Sequence, residues 1–260
     1  MKKMLSPFCP LLLYPLMLTS PAVFAAHTPG YFDVIAAGSI SQVKAGNGRM
    51  GITSDETDTL VQTNDNNWNS WGGQLGLGYV YFLGNSQRNS EQLQWFPMFE
   101  PELNVYYNRY KNKGNVYRFG SPEFNDLTYS MPFQSTRVML DGALTIESWR
   151  QFSTYVIGGI GNSWNRIGYS DAFKSSDGCS VQNLSLSNKT SSKFVWELGA
   201  GIAYAINNTV GLSFQYLYTD YGTLSTTAQG NTGALTLPLL SPARFTLHTQ
   251  ALLLGLHVMV

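Results

Sequence analysis

The sequence predicts an all-β protein: an eight-stranded antiparallel up-and-down transmembrane β-barrel with short periplasmic turns and long extracellular loops. Three observations carry that expectation. Eight segments of the 260-residue chain alternate apolar and polar residues with period two. The connections between those segments alternate between short and long. Aromatic residues gather at two heights, near opposite ends of the segments.

A leader precedes the first segment. Met1-Lys2-Lys3 is a basic start, Leu11–Leu18 is apolar, and Val23 and Ala25 occupy the −3 and −1 positions of a small-x-small cleavage site. Residues 1–25 are therefore expected to be a signal peptide and residues 26–260 the barrel domain. Pro10 and Pro15 interrupt the apolar run, which is too short to span a bilayer as a helix. Loss of Lys2 and Lys3 with the signal leaves 14 basic and 16 acidic residues, which gives no basic footprint for nucleic acid. It also leaves Cys179 as the one cysteine, so no internal disulfide framework is available. Charged residues are 12% of the chain, about half the usual share.

The eight segments follow in order. Strand one is Tyr31–Val43, with Val34, Ala36, Gly38 and Ile40 on one side. Strand two, Trp71–Leu83, puts Trp71, Leu75, Leu77, Tyr79, Tyr81 and Leu83 on a shared face. In strand three, Gln94–Tyr107, Phe99, Leu103 and Val105 alternate with Glu100, Glu102 and Asn104. Strand four is Ser135–Ser148, where Val138, Leu140, Leu144 and Ile146 stand opposite Arg137, Asp141, Thr145 and Glu147. Strand five is Phe152–Trp164, phased by Val156, Ile160 and Trp164. Strand six, KFVWELGAGIAYAI (193–206), is the cleanest: Phe194, Trp196, Leu198, Ala200, Ile202, Tyr204 and Ile206 share a face, opposite Lys193 and Glu197. Strand seven is Val210–Thr219, with Leu212, Phe214, Tyr216 and Tyr218 opposite Ser213 and Gln215. Strand eight, Phe245–Val260, closes with Leu252, Leu254, Leu256, Val258 and Val260 in register.

Loops of about 25–28 residues join strands one to two, three to four, five to six and seven to eight. The intervening turns are Gly84–Leu93, Trp149-Arg150-Gln151 and Asn207-Asn208-Thr209. An outer-membrane barrel sorts its connections in this way, and an even strand count returns both ends to the periplasmic rim. Trp95, Phe96, Trp149, Phe152 and Tyr204 mark the short-turn end. Tyr106, Tyr107, Tyr110, Trp164, Phe194, Trp196, Tyr216 and Tyr218 mark the other. The apolar face is thus expected to meet lipid, because a closed barrel leaves no unpaired backbone in hydrocarbon. Ala200 should point to lipid and Gly201 inward, so Ser at position 201 is expected to be mild beside Arg at position 200.

The stretch WELGAGIAYAI (196–206) resembles the W-x-L-G-A-G-x-x-Y strand of OmpA-like and opacity-family outer-membrane barrels. TYVIGGIG (154–161) is similar to their Y-V-G-x-G-x-G strand, and YLYTDYG (216–222) to their Y-x-Y-x-D-x-G motif. Val260 departs from the terminal Phe or Trp of that family, and the peptidoglycan-binding domain that some relatives carry is not expected. The resemblance implies a bacterial outer-membrane location and an inward Arg/Lys–Glu network.

Eight strands enclose a lumen that side chains can fill. The inward set includes Gln74, Glu100, Glu102, Arg137, Asp141, Glu147, Lys193, Glu197 and Gln215. Charges there must pair. Arg137 is expected at the centre of a plug, flanked by Glu102 and Asp141 with Glu197 across the barrel. No catalytic site is read. His27, His248 and His257 show no His-x-Ser pairing of the deacylase type, and no Cys/His metal spacing or phosphate loop occurs. No cofactor is implied. Function then falls to the loops, with Asp55, Glu56, Asp58 and Trp68 as candidate recognition residues. The expected role is structural or surface recognition, by a monomer whose partners are outer-membrane lipids and an extracellular ligand or host surface. The alternatives are a small porin and a lipid A-modifying enzyme.

Overall fold

The computed structural model describes residues 30–63, 68, 70–83, 93–174, 184–232 and 235–260. The leader, His27, Cys179 and the rest of the NDNNWN run around Trp68 lie outside the described residues. In chain order the strands are β1 (Gly30–Ala45), β2 (Gly48–Gly51), β3 (Thr57–Gln62), β4 (Ser70–Phe82), β5 (Gln94–Trp95), β6 (Met98–Tyr117) and β7 (Leu127–Trp149). Then come β8 (Phe152–Phe173), β9 (Leu184–Ala205), β10 (Val210–Ser225), β11 (Gln229–Thr232), β12 (Leu235–Pro238) and β13 (Ser241–Met259). Eight long antiparallel strands, β1, β4, β6, β7, β8, β9, β10 and β13, form the ring. It closes where β13 pairs with β1, from Asp33–Met259 to Ala45–Leu247. Closure therefore leaves the spanning wall without an open sheet edge, as hydrocarbon requires.

In the spanning part the apolar face points out. Phe194, Trp196, Leu198, Ala200 and Ile202 on β9 are exposed, whereas Val195 and Glu197 between them are buried. From Phe194 to Tyr204 the strand covers about 33 Å at ~3.3 Å per residue. Tilted by about 40°, that stands ~25 Å tall, the height of a bilayer's apolar band. Trp71, Tyr107, Trp164 and Phe194 rim its upper edge and Trp149, Phe152, Tyr81 and Trp95 its lower, all exposed.

Beyond the upper girdle the wall continues and its polarity reverses. Along β7 the inward residues are Leu127, Tyr129, Met131 and Phe133, then Ser135, Arg137, Met139 and Asp141. The outward ones run Thr128, Ser130, Pro132, Gln134 and Thr136, then Val138, Leu140, Gly142 and Leu144. The strand keeps one phase from Leu127 to Thr145, but its greasy side changes near residue 135. Above that level water lies outside, so burying Leu, Phe and Tyr inward stabilises, by roughly 1.5–3 kcal/mol for each large side chain fully buried. Val116, Leu127, Phe133, Ile167, Tyr169, Leu224 and Leu247 belong to this upper core. Below it lipid lies outside, and the lumen takes the polar groups.

This reversal corrects the expected loops, much of whose length is strand. The predicted third, fourth, fifth and sixth strands extend to Tyr117, back to Leu127, on to Phe173 and back to Leu184. The hairpin β2–β3 is stitched into the wall between β13 and β6, and β11 pairs with β9. Three further corrections follow. Tyr106 and Tyr110 are buried inward instead of joining the girdle, because their parity on β6 matches Glu102 and Asn104. The expected strand from Gln94 is broken at Phe96, whose φ of 48° precedes Pro97. Gly201 faces inward, but a Cβ there would lie 2.5 Å from the Tyr155 ring and 2.8 Å from the Phe214 carbonyl oxygen, so Ser is not a mild replacement.

The described short turns are built locally. Trp149 and Phe152 pair across a two-residue turn in which Arg150 takes a φ of 54°. At the next turn the Asn207 side chain accepts bonds from the Thr209 and Val210 amides, both at 2.8 Å, which is why Asn serves there.

Candidate functional site

Three places carry chemistry-bearing side chains: the middle of the lumen, its periplasmic mouth and the outer wall above the girdle. In the middle, Arg137 is brought in by β7. Its Nε lies 3.1 Å from Glu197 Oε2 and its Nη1 donates to the Tyr221 hydroxyl at 2.8 Å. The guanidinium stacks 4.0 Å from the Tyr106 ring centre. Side-chain exposures of 3% for Arg137 and 0% for Glu197 make this a dry pair. The expected flanking by Glu102 and Asp141 needs correction. Those carboxylates meet at Asn104, whose Nδ2 donates to Glu102 Oε2 and Asp141 Oδ2, both at 2.7 Å. Gln74 Nε2 in turn donates to Asn104 Oδ1 at 2.9 Å. Register explains the difference. Arg137 sits beside Tyr106 on β6, one inward pair above Asn104 and two above Glu102, so the nearest acceptor it can reach is across the lumen. The structure thus gathers Glu102, Arg137, Asp141 and Glu197 in the lumen, with Arg137 paired to Glu197 and Glu102 joined to Asp141 through Asn104. Of the other inward candidates, Gln74 and Gln215 are buried, Glu100 and Glu147 half-buried, and Lys193 exposed.

At the mouth, three neighbouring strands contribute one group each. His257 of β13 places Nδ1 2.5 Å from Asp33 Oδ2 on β1 and Nε2 2.8 Å from Ser213 Oγ on β10. The tautomer with its proton on Nδ1 donates to Asp33 and accepts from the Ser213 hydroxyl, so both ring nitrogens are paired. A Cβ at residue 255 would lie 2.4 Å from Ser213 Oγ, so Gly255 is what admits the hydroxyl to the imidazole. Beside them is a cavity lined by Ile35, Val80, Ala143 and Leu253, by Tyr155, and at the rim by Arg150. Sequence reasoning missed this trio. The usable signal was inward parity near the periplasmic ends of strands one, seven and eight, which barrel closure makes neighbours.

On the outer wall, Arg109, Lys111 and Lys113 are consecutive outward residues of β6 directly above Tyr107, and all are exposed. Arg166 of β8 shares the rung of Arg109 through Gln134, and is exposed too.

A family model described as outer membrane protein beta-barrel domain matches residues 11–239. The chain belongs to that family. It is a bacterial outer-membrane protein. Solved barrels similar to this member of the outer membrane protein beta-barrel family include Neisserial surface protein A, at 15% identity and a TM-score of 0.41, over 88% of this chain and 97% of that one. The outer membrane protease OmpT of Escherichia coli matches at 10% identity and 0.47, over 90% and 98%. The attachment invasion locus protein Ail of Yersinia pestis, in complex with the heparin analogue sucrose octasulfate, matches at 13% and 0.42, over 90% and 100%. No curated protein matches in sequence.

In this outer membrane protein beta-barrel family member the loop candidates separate. Asp55 is exposed, and Trp68 is 39% exposed. Glu56 is held by Arg118 Nε at 3.4 Å. Asp58 is buried and accepts the Phe119 amide at 3.2 Å, tying β3 to the turn after β6. Burial, then the nearby Glu56, pushes its carboxyl up to about 6. Asp58 is therefore removed from the list of contact residues, because its parity on β3 turns it into the upper core. Burial likewise raises Asp171, which accepts the Leu184 amide at 2.8 Å.

Proposed function

We propose that the protein is a non-conducting surface-recognition barrel whose raised outer wall engages anionic groups at the cell exterior. The filled lumen supports the first half. The Arg137–Glu197–Tyr221 layer is dry, and the apolar core of Phe133, Tyr110, Tyr129 and Tyr169 lies above it. An ion would have to pass both, and the desolvation cost of doing so is high. The observation that carries the second half is the outward row Arg109, Lys111 and Lys113 with Arg166 beside it. These side chains stand just above the girdle, at headgroup height, where guanidinium and ammonium groups bind phosphate or sulfate oxygens through charge-assisted bonds. The ligand chemistry is a phosphorylated or sulfated saccharide: lipid A beside the barrel, or a polymer outside the cell.

The test uses refolded protein in nanodiscs, with Arg109, Lys111, Lys113 and Arg166 together changed to Gln. Retention on a dextran sulfate column should fall, and salt should weaken wild-type retention. Lipopolysaccharide that co-purifies with wild-type protein but not with the variant, when both are extracted from native outer membranes, assigns the lipid source. Equal retention of both proteins, with equal lipopolysaccharide content, refutes the reading. The porin alternative is decided in planar bilayers, where discrete single-channel steps from wild-type protein would overturn the closed lumen.

A further inference from the structure

We infer that Ser213, His257 and Asp33 form an acyl-transfer site at the periplasmic mouth of the barrel, with Ser213 as nucleophile toward esters of short carboxylic acids. The roles follow from which atoms meet. A hydroxyl oxygen stands 2.8 Å from one imidazole nitrogen, and a buried carboxylate stands 2.5 Å from the other. That is the arrangement by which a base activates a nucleophile while a third group fixes the base's tautomer. Asp33, His257 and Ser213 all line the cavity, Asp33 and Ser213 buried and His257 half-buried.

The cavity sets the substrate class. Ile35, Val80, Ala143 and Leu253 offer an apolar wall for an acyl chain. Glu100 and Glu102 also line it, Glu100 beside Asp33, and neither offers a positive charge to receive an anionic acyl group. Length is limited because the Asn104-bridged carboxylates and the Arg137 layer close the lumen above. The opening is at the short-turn rim, marked by Arg150 and Gln151, so the ester enters from the periplasmic side.

In the first half-reaction Ser213 Oγ bonds to the ester carbonyl carbon while its proton passes to His257 Nε2. The carbonyl electron pair moves onto oxygen. Collapse of that adduct breaks the carbon–alkoxy bond, and the leaving alcohol takes the proton from Nε2, which leaves an acyl ester on Ser213. In the second half-reaction water attacks that ester and gives a proton to Nε2. The new adduct breaks its bond to Oγ, Ser213 recovers the proton, and a carboxylic acid leaves. Asp33 accepts from Nδ1–H throughout and stabilises the imidazolium in both adducts. The Tyr155 hydroxyl donates to Gln215 Oε1 at 3.2 Å and interacts with Ser213; it can donate to the developing oxyanion by turning from Gln215.

The experiment uses full-length protein refolded in detergent micelles, with folding of each variant checked by heat-modifiable gel migration. Wild-type protein should be labelled by a fluorophosphonate probe, with the adduct mapped to Ser213 by peptide mass spectrometry. It should also hydrolyse p-nitrophenyl butyrate faster than p-nitrophenyl palmitate. Ser213→Ala should lose both activities, and His257→Gln should slow hydrolysis by about 100-fold or more. Asp33 is a positioning residue: Asp33→Asn should lower kcat with KM unchanged, and Asp33→Glu should recover part of the rate. Ser213→Cys guards against misfolding, since its thiol should react with iodoacetamide faster than that of Ser213→Cys with His257→Gln. Release of hexanoic acid from dihexanoylphosphatidylglycerol would assign the ester to a short-chain lipid, and butyrate hydrolysis alone to a soluble ester. Absence of any adduct on folded wild-type protein, an adduct mapped to another serine, or equal hydrolysis by Ser213→Ala overturns the inference.

Discussion

Changing Arg137 to Met tests the physical account of the plug most directly. The substitution keeps an unbranched stem over the Tyr106 ring but removes the guanidinium that lies 3.1 Å from Glu197 and 2.8 Å from the Tyr221 hydroxyl. Two charges at that distance attract by about 5 kcal/mol at an effective dielectric of 20. After the change Glu197 Oε2 keeps only the Thr219 hydroxyl at 3.3 Å, and its charge stays in a dry site. Removing one partner of a buried pair costs roughly 3–5 kcal/mol, largely as the penalty on the charge left behind. Glu197→Gln relieves that penalty, so Arg137→Met with Glu197→Gln should be less destabilised than the sum of the single changes. The coupling energy should be about 2–4 kcal/mol. The same cycle with Glu102→Gln should give less than about 0.5 kcal/mol, because Glu102 bonds to Asn104 and not to Arg137. Urea unfolding in lipid vesicles, followed by tryptophan fluorescence, supplies all the free energies. Zero coupling between Arg137 and Glu197, or equal coupling to Glu102, would refute the reasoning.

Two other perturbations probe the wall. Ala200→Arg on the lipid face should cost about 2–4 kcal/mol in vesicle unfolding. Gly201→Ser should also destabilise, by about 1–3 kcal/mol, because Tyr155 must move and its bond to Gln215 is lost. A wild-type stability for either variant would contradict the assigned faces. Above the membrane, Asp58 has a pKa raised from 3.8 to about 6, so the folded cap prefers the neutral acid. That preference is fully present below pH 3.8 and is lost as pH rises through 6. Amides of β3 should accordingly exchange hydrogen more slowly at pH 5 than at pH 7 after correction for intrinsic rates. Asp58→Asn should flatten the dependence, and a dependence unchanged by that substitution would show that Asp58 is not its source.

What could be read from the sequence, and what could not, follows from the solvent on each side of the wall. The spanning strands were legible because lipid outside and a narrow lumen inside impose opposite polarities on alternate residues, as outward Trp196 and Leu198 on either side of inward Glu197 show. The strand ends were not. Across Phe133, Ser135 and Arg137 the inward series passes from apolar to polar while the outward series from Thr136 to Val138 does the reverse. A period-two pattern that changes sign looks like one that stops, so 127–134 read as loop. Fixed parity with inverted polarity is the signature of one strand crossing from water into lipid. The lumen partners were hidden for a different reason. Parity says that Arg137 and Glu197 point inward, but strands four and six are not neighbours, and only the closed ring sets the distance across it. The Ser213–His257–Asp33 trio lay between these cases. Its members sit on adjacent strands, so parity and closure together place them within reach; what neither could supply is how closely Ser213 Oγ approaches residue 255, where a Cβ would lie only 2.4 Å from it. A side chain there would keep the hydroxyl from the imidazole while leaving the alternation of strand eight intact.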